Sequence, residues 1–211
     1  MPIVTKIEPD GRRPRRVRIE VDGEPFAEVA ARAAERLGLE PGREVERDAF
    51  ARELERAETE SAMERALGFL SYRSRSREEV RRRLDRDAVP DPIRDRVLGR
   101  LEGTGLLDDD AFCAAYVRSR IAVHPEGVRR MAEELHRRGV PRTRSLPAIQ
   151  RALEGEGVTE AELLARAGEK RLRALGGLSP AVARRRLFEH LARRGFPLEA
   201  VRAWVEEAVG D

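Results

Sequence analysis

The chain has 211 residues, of which 38% are charged, 40% hydrophobic and only 4% aromatic, with a formal net charge of +3. That length is ample for a hydrophobic core, but so modest an apolar content covers slender amphipathic helices more easily than it fills one large globular core. No apolar run approaches the roughly 18–20 residues that cross a bilayer, Met1 to Lys6 lacks a signal-peptide pattern, and the single cysteine, Cys113, excludes an internal disulfide and a multi-cysteine zinc site, so a cytoplasmic protein without membrane contact is expected.

At the N-terminus Ile3, Thr5 and Ile7 alternate, and Val17, Ile19 and Val21 alternate ahead of Asp22-Gly23, a pair suited to the left-handed backbone of a tight hairpin turn. Two half-buried strands are expected there. Ala27 to Leu37 reads as a helix stopped by Gly38, and Pro41-Gly42 marks a turn before an acidic helix from about Asp48 onward. A boundary is placed near residue 58, which makes 1–58 a β-hairpin and helix segment.

Beyond it the sequence repeats. Leu84, Leu135 and Leu191 serve as anchors: four residues earlier stand Val80, Met131 and Leu187, and five residues later Val89, Val140 and Phe196, each followed by Pro90, Pro141 or Pro197. Ala88, Gly139 and Gly195 precede those apolar residues. The apolar pair one turn apart makes a buried helical stripe, the small residue ends the helix, and proline prevents its continuation.

A helix carrying Ala66, Leu67 and Leu70, then Phe112, Cys113 and Tyr116, then Leu163, Leu164 and Ala167 precedes each anchor helix. Another follows it, with Ile93, Val97 and Leu101, then Ile149 and Leu153, then Val201, Val205 and Val209. Ser76 to Glu79 fits a capping box, Ser179-Pro180 an N-cap with proline in first position, and Asp108 to Asp110 a cap for the helix bearing Phe112. The predicted fold is mainly α, an elongated array of three tandem three-helix repeats over 59–104, 105–155 and 156–211, with the extra length of the third at Gly176-Gly177.

Arginine supplies 40 of the 42 basic residues, with no asparagine and one glutamine, Gln150, which fits either a hot environment or an arginine-favouring genome. Residues 44–64 carry eight acids and three bases, whereas 166–194 carry nine bases and two acids, so basic surface concentrates toward the C-terminal half. Arg86, Arg137 and Arg193 each follow an anchor leucine by two positions, about 200° around the helix from the buried stripe. They complement the helix dipole or meet an anionic partner. Neighbouring clusters, Arg81-Arg82-Arg83, Arg129-Arg130, Arg138, and Arg184-Arg185-Arg186 with Arg194, widen the second reading. Arg73, Arg75 and Arg77 around Ser74 and Ser76 form a basic turn, which contacts DNA or is simply a solvated helix start.

Tyr72 and Tyr116 are candidates for base stacking, with core packing the competing reading for Tyr116, one turn from Phe112; Trp204 reads as core. Asp108-Asp109-Asp110 lacks the further ligands of a calcium loop or two-metal nuclease, and His124, His136 and His190 have no metal-ligand spacing. No nucleophile elbow, phosphate-binding glycine loop or paired-carboxylate site stands out. The chain therefore reads as a binding protein, not an enzyme, with no cofactor.

The run Ala66-Leu67-Gly68-Phe69-Leu70 with Arg73 and Ser76, then Gly105-Leu106-Leu107-Asp108-Asp109 with Phe112 and Tyr116, then Glu134 to Val140, then Arg193-Arg194-Gly195-Phe196, resembles the RecX family of bacterial regulatory proteins over roughly residues 60–207. It departs from the family pattern at Ala88, where glycine is usual, at Cys113, where alanine is usual, and at Pro141 to Pro147, which opens the last helix of the second repeat. The resemblance implies a monomeric modulator that binds RecA and the RecA filament on single-stranded DNA, lies in the filament's groove, and restrains ATP hydrolysis, strand exchange and co-protease activity, and so DNA repair and the SOS response. Single- and double-stranded DNA are further expected ligands. The alternative is a stand-alone DNA-binding protein whose three-helix units enter a major groove.

Overall fold

In the computed structural model, which describes residues 1–210, the N-terminal segment forms a three-stranded antiparallel sheet: β1 (Val4–Asp10), β2 (Arg13–Val21) and β3 (Glu24–Ala30), in that spatial order. Val4, Ile19 and Val21 are buried on its inner face. Asp22 and Gly23 both hold positive φ, 55° and 81°, as the two central residues of a primed hairpin turn must. That turn sends the chain back along β2, pairing Ile19 with Ala27 and Val17 with Val29. The expectation of a two-stranded hairpin and a helix from Ala27 is corrected here: Ala27 to Ala30 is strand, and the helix α1 covers only Ala31–Arg36. Alanine-rich sequence favours helix, but cross-strand pairing and burial of Val29 override that weak local preference.

Helix α2 (Arg47–Leu70) starts where the Glu46 carboxylate accepts hydrogen bonds from the Asp48 and Ala49 amides. It runs through residue 58 without a break, because no glycine or proline occurs before Gly68. The helix is therefore shared. Phe50, Leu54 and Ala57 pack against the sheet, and Ala62 and Ala66 open the core of the first repeat. Arg16, buried beneath the sheet, donates to Glu58 at 2.7 Å and to Glu28 at 2.7 Å, and Glu58 also accepts the Ala30 amide at 2.6 Å. Each buried charge is thus paired and hydrogen-bonded, the condition for tolerating it away from water.

The repeats continue as α3 (Arg77–Arg86) and α4 (Asp91–Gly103); α5 (Asp109–Ala122), α6 (Val128–Arg137) and α7 (Arg142–Gly155); and α8 (Glu160–Arg173), α9 (Pro180–Arg193) and α10 (Leu198–Val209). Leu84, Leu135 and Leu191 are all fully buried, as are Val80, Met131 and Leu187. Ala88, Gly139 and Gly195 hold φ of 55°, 89° and 82°, the left-handed conformation that ends each middle helix. Ser76 and Glu79 complete the capping box of α3, and Asp108 accepts the Asp110 and Ala111 amides at the start of α5. Asp110 also pairs with Arg144 of α7 at 3.3 Å, so these acids serve capping and helix pairing.

The chain divides into two compact units, Met1–Leu107 and Asp108–Asp211. The second holds repeats 2 and 3 around one shared core. Their joint is tight: the Gly127 amide donates to the Arg194 carbonyl at 2.9 Å, and a Cβ on Gly127 would lie 2.4 Å from the Gly195 oxygen. Arg194 in turn donates to the Pro125 carbonyl at 2.7 Å, and Glu160 of α8 accepts the Val128 amide at 2.7 Å.

Candidate partner-binding surface

A side chain two positions beyond a core-facing residue on a helix is turned away from the core. Arg86, Arg137 and Arg193 are accordingly exposed in all three repeats. Arg137 pairs with Glu134 one turn back, Arg193 lies 3.9 Å from Glu189, and among the described residues Arg86 has no hydrogen bond or ion pair. All three sit in the last turn of α3, α6 or α9, where they also complement the helix dipole.

The first repeat keeps its other candidate arginines within carboxylate networks. Arg73 donates to Glu79 at 2.6 Å, Arg77 to Glu102 at 2.8 Å and Arg82 to Glu78 at 2.8 Å, while Arg81 bridges Glu78 and Asp85. Hydrogen bonds from Arg81, then Arg82, outweigh partial burial and hold the Glu78 carboxyl at about 2. Arg75 stacks over the Phe69 ring at 4.0 Å and approaches Glu79 at 3.8 Å. Exposed pairs of this kind contribute about 0–1 kcal/mol. Their guanidinium groups can exchange a surface carboxylate for a partner's phosphate or carboxylate at little loss.

In the second repeat Arg129 is exposed, Arg130 lies 4.0 Å from Glu133, and Arg138 donates to Glu134 at 3.1 Å while lying over the Tyr116 ring. In the third, Arg184 donates to the Gly210 carbonyl, Arg185 approaches Glu189 at 3.9 Å, and Arg194 is half-buried in the joint already described. The two tyrosines part company. Tyr72 is 86% exposed, on the rim of a groove of about 550 Å³ that it shares with Leu67, Phe69, Arg32, Arg65 and Arg83, whereas Tyr116 is 7% exposed and bonds Glu126 at 3.2 Å. Burial raises the Tyr116 hydroxyl to about 12 and the Cys113 thiol to about 11, so neither is poised to ionise near neutrality. Trp204 lies partly buried against Gly168, where any Cβ would come within 2.4 Å of the ring.

Sequence reasoning passed over a second basic feature. Arg52 and Arg56 on α2 face Arg96 and Arg100 on α4 across a groove of about 680 Å³. A recoverable signal exists, an arginine pair four residues apart on each helix, but the first pair lies inside the stretch whose acids outnumber its bases. Among the described residues, no group of three or more His, Cys, Asp or Glu could hold a metal ion, and no helix is long and apolar enough to cross a membrane.

The first, second and third three-helix domains of RecX match residues 62–101, 108–143 and 159–205 in that order, closely following the three helical repeats. A regulatory protein RecX from Prosthecochloris aestuarii is 34% identical over 151 residues, 72% of this chain and 95% of that protein. The chain belongs to the RecX family. A regulatory protein RecX from Geobacillus kaustophilus is 32% identical over 166 residues, 78% of this chain and 60% of that longer protein. The RecX fold is shared with two crystal structures: a regulatory protein RecX, with a TM-score of 0.62 and 24% identity over 99% of this chain and 98% of that one, and RecX from Lactobacillus salivarius, with a TM-score of 0.59 and 20% identity over 71% and 95%. RecX is thus a family of regulatory proteins built from three-helix domains, and in this member a three-stranded sheet precedes them.

Proposed function

We propose that this RecX-family chain binds RecA and its filament on single-stranded DNA and inhibits the recombinase, ATPase and co-protease activities, modulating DNA repair and the SOS response. It acts in the cytoplasm as a monomer, by occupancy, without catalysis or a cofactor of its own. The observation that carries this reading is that three RecX modules in family order each present an exposed arginine at the same step past a buried anchor leucine. A partner with repeating subunits along an anionic strand offers each module an equivalent contact.

The test is the ATPase of RecA on single-stranded DNA. Equimolar protein is expected to inhibit it, and the joint variant Arg86→Glu, Arg137→Glu and Arg193→Glu is expected to need about tenfold more protein, or greater, for the same inhibition. No inhibition by wild type would contradict the reading; a fully potent variant would remove those three positions from the contact. The stand-alone DNA-binding alternative draws on the basic middle helix α9, with Arg184, Arg185 and Arg186 in its first two turns. It requires tight RecA-free binding to duplex DNA, with log affinity falling steeply against log salt.

A further inference from the structure

The groove between α2 and α4 differs from the rest of the arginine-rich surface. Elsewhere on α3 the arginines have acids one turn away that engage them: Arg82 with Glu78, Arg81 with Asp85, Arg83 with Asp87. Here each helix instead carries two arginines one turn apart, Arg52 with Arg56 and Arg96 with Arg100. Like charges at that spacing repel and weaken the helix that carries them. Nearby acids relieve this only in part: Arg52 acts on the Glu46 carboxylate without forming an ion pair with it. Glu53 is held by Arg43 at 2.9 Å, and of the two acids that line the groove Glu60 is held by Arg36 at 2.9 Å and Glu55 by Arg96 at 2.7 Å.

Arg52, Arg56 and Arg100 are exposed and, among the described residues, form no hydrogen bond or ion pair. Only four arginines of α1 to α4 are in that condition, and three of the four line this one groove. Ala49 and Thr59 also line it, and the Thr59 hydroxyl is already committed to the Glu55 carbonyl at 2.7 Å. No large apolar side chain lines it, so it has no pocket for the aromatic or aliphatic anchor on which peptide binding relies. Four arginines against two carboxylates, three of the four outside any ion pair among the described residues, suit phosphate oxygens, which guanidinium forks can grip in bidentate fashion.

We infer that the α2–α4 groove is a binding site for the phosphate backbone of a nucleic-acid strand, held by Arg52, Arg56 and Arg100 with Arg96 exchanging Glu55 for phosphate. The contact reads charge and spacing, not base sequence. It lies in the first compact unit, and its arginines are not those at the ends of α3, α6 and α9.

Fluorescence anisotropy of the full chain with a labelled oligothymidine, titrated across salt concentrations without RecA, tests this. The variant Arg52→Ala, Arg56→Ala, Arg100→Ala should bind about tenfold more weakly or worse, with the slope of log affinity against log salt shallower by about 2, from ~0.7 per lost phosphate contact. A control, Arg118→Ala, Arg142→Ala, Arg166→Ala, removes the same charge from exposed positions of the second unit and should bind close to wild type. Thermal unfolding of the groove variant should be unchanged or improved, since repulsion is relieved. Equal losses in both variants, no binding by wild type, or a groove variant that loses affinity for a labelled polyglutamate peptide more than for oligothymidine would overturn the assignment. Inorganic tripolyphosphate should compete only weakly; competition as strong as that of the strand would make this a small-anion site and also overturn it. Because RecA is absent, failure here leaves the filament reading standing, and the RecA ATPase assay tests that reading separately.

Discussion

Ala88 is the one alanine among three equivalent helix stops, and its φ of 55° is a conformation that a Cβ makes costly. Gly139 and Gly195 carry out the same step without that strain, and Gly195 could not be replaced by alanine, because a Cβ would lie 2.5 Å from the Cβ of Arg130. Ala88→Gly is therefore expected to stabilise the protein by about 1 kcal/mol, relief of backbone strain outweighing the added freedom of the unfolded chain. Chemical denaturation measures this directly. A lower midpoint for the variant would mean that the Ala88 methyl contributes packing greater than the strain it imposes. Where arginine residues are concerned, position separates roles that composition merges: Arg16 is buried with two carboxylates, Arg194 fastens one repeat to the next, and Arg86 is exposed and unpaired among the described residues.

At the scale of elements, the joint between repeats 2 and 3 carries a pH dependence. Burial, then the charges of Arg194, Arg171 and Arg193, hold the His190 imidazole down to about 4 from its ordinary 6.5. It stays neutral and accepts the Arg194 Nε–H at 3.0 Å, while another nitrogen of Arg194 reaches the Pro125 carbonyl. Between pH 6.5 and 4 the unfolded chain takes up a proton that the folded one refuses. This contribution is therefore intact above 6.5 and declines progressively as pH falls to about 4. Denaturation of wild type and His190→Gln across that window should show a steeper acid loss for wild type; parallel curves would dismiss the imidazole as the cause.

Much of the helical architecture was legible because helix ends need particular chemistry. Proline six residues past each anchor leucine, small residues at positive φ and the Ser76 box announced the repeats, and the Thr159-to-Glu162 box that starts α8 carried the same signal unnoticed. β3 was hidden because its alanines favour helix locally while the pairing with β2 that decides the matter is non-local. The boundary near residue 58 fell inside α2 because one helix serves two cores, a sharing that hydrophobic periodicity cannot register. The α2–α4 groove was missed for a related reason. Counting charges along residues 44–64 gives an acidic segment, yet folding brings Arg36 and Arg43 onto its acids and leaves Arg52 and Arg56 without an ion pair among the described residues.

For the molecule as a whole, a charged and thinly apolar sequence is accommodated by three small cores in place of one: the sheet with the first half of α2, the first repeat, and the joined second and third repeats. Family membership fixes the regulatory class; in the proposed function, the exposed positions past each anchor leucine and the α2–α4 groove are the surfaces that would meet a filament of protein and nucleic acid. Electron microscopy of RecA filaments on single-stranded DNA, with and without stoichiometric RecX chain, tests this most directly. Added density following the filament at regular intervals is the predicted result; bare filaments, with the protein left in the supernatant when they are pelleted, would contradict it.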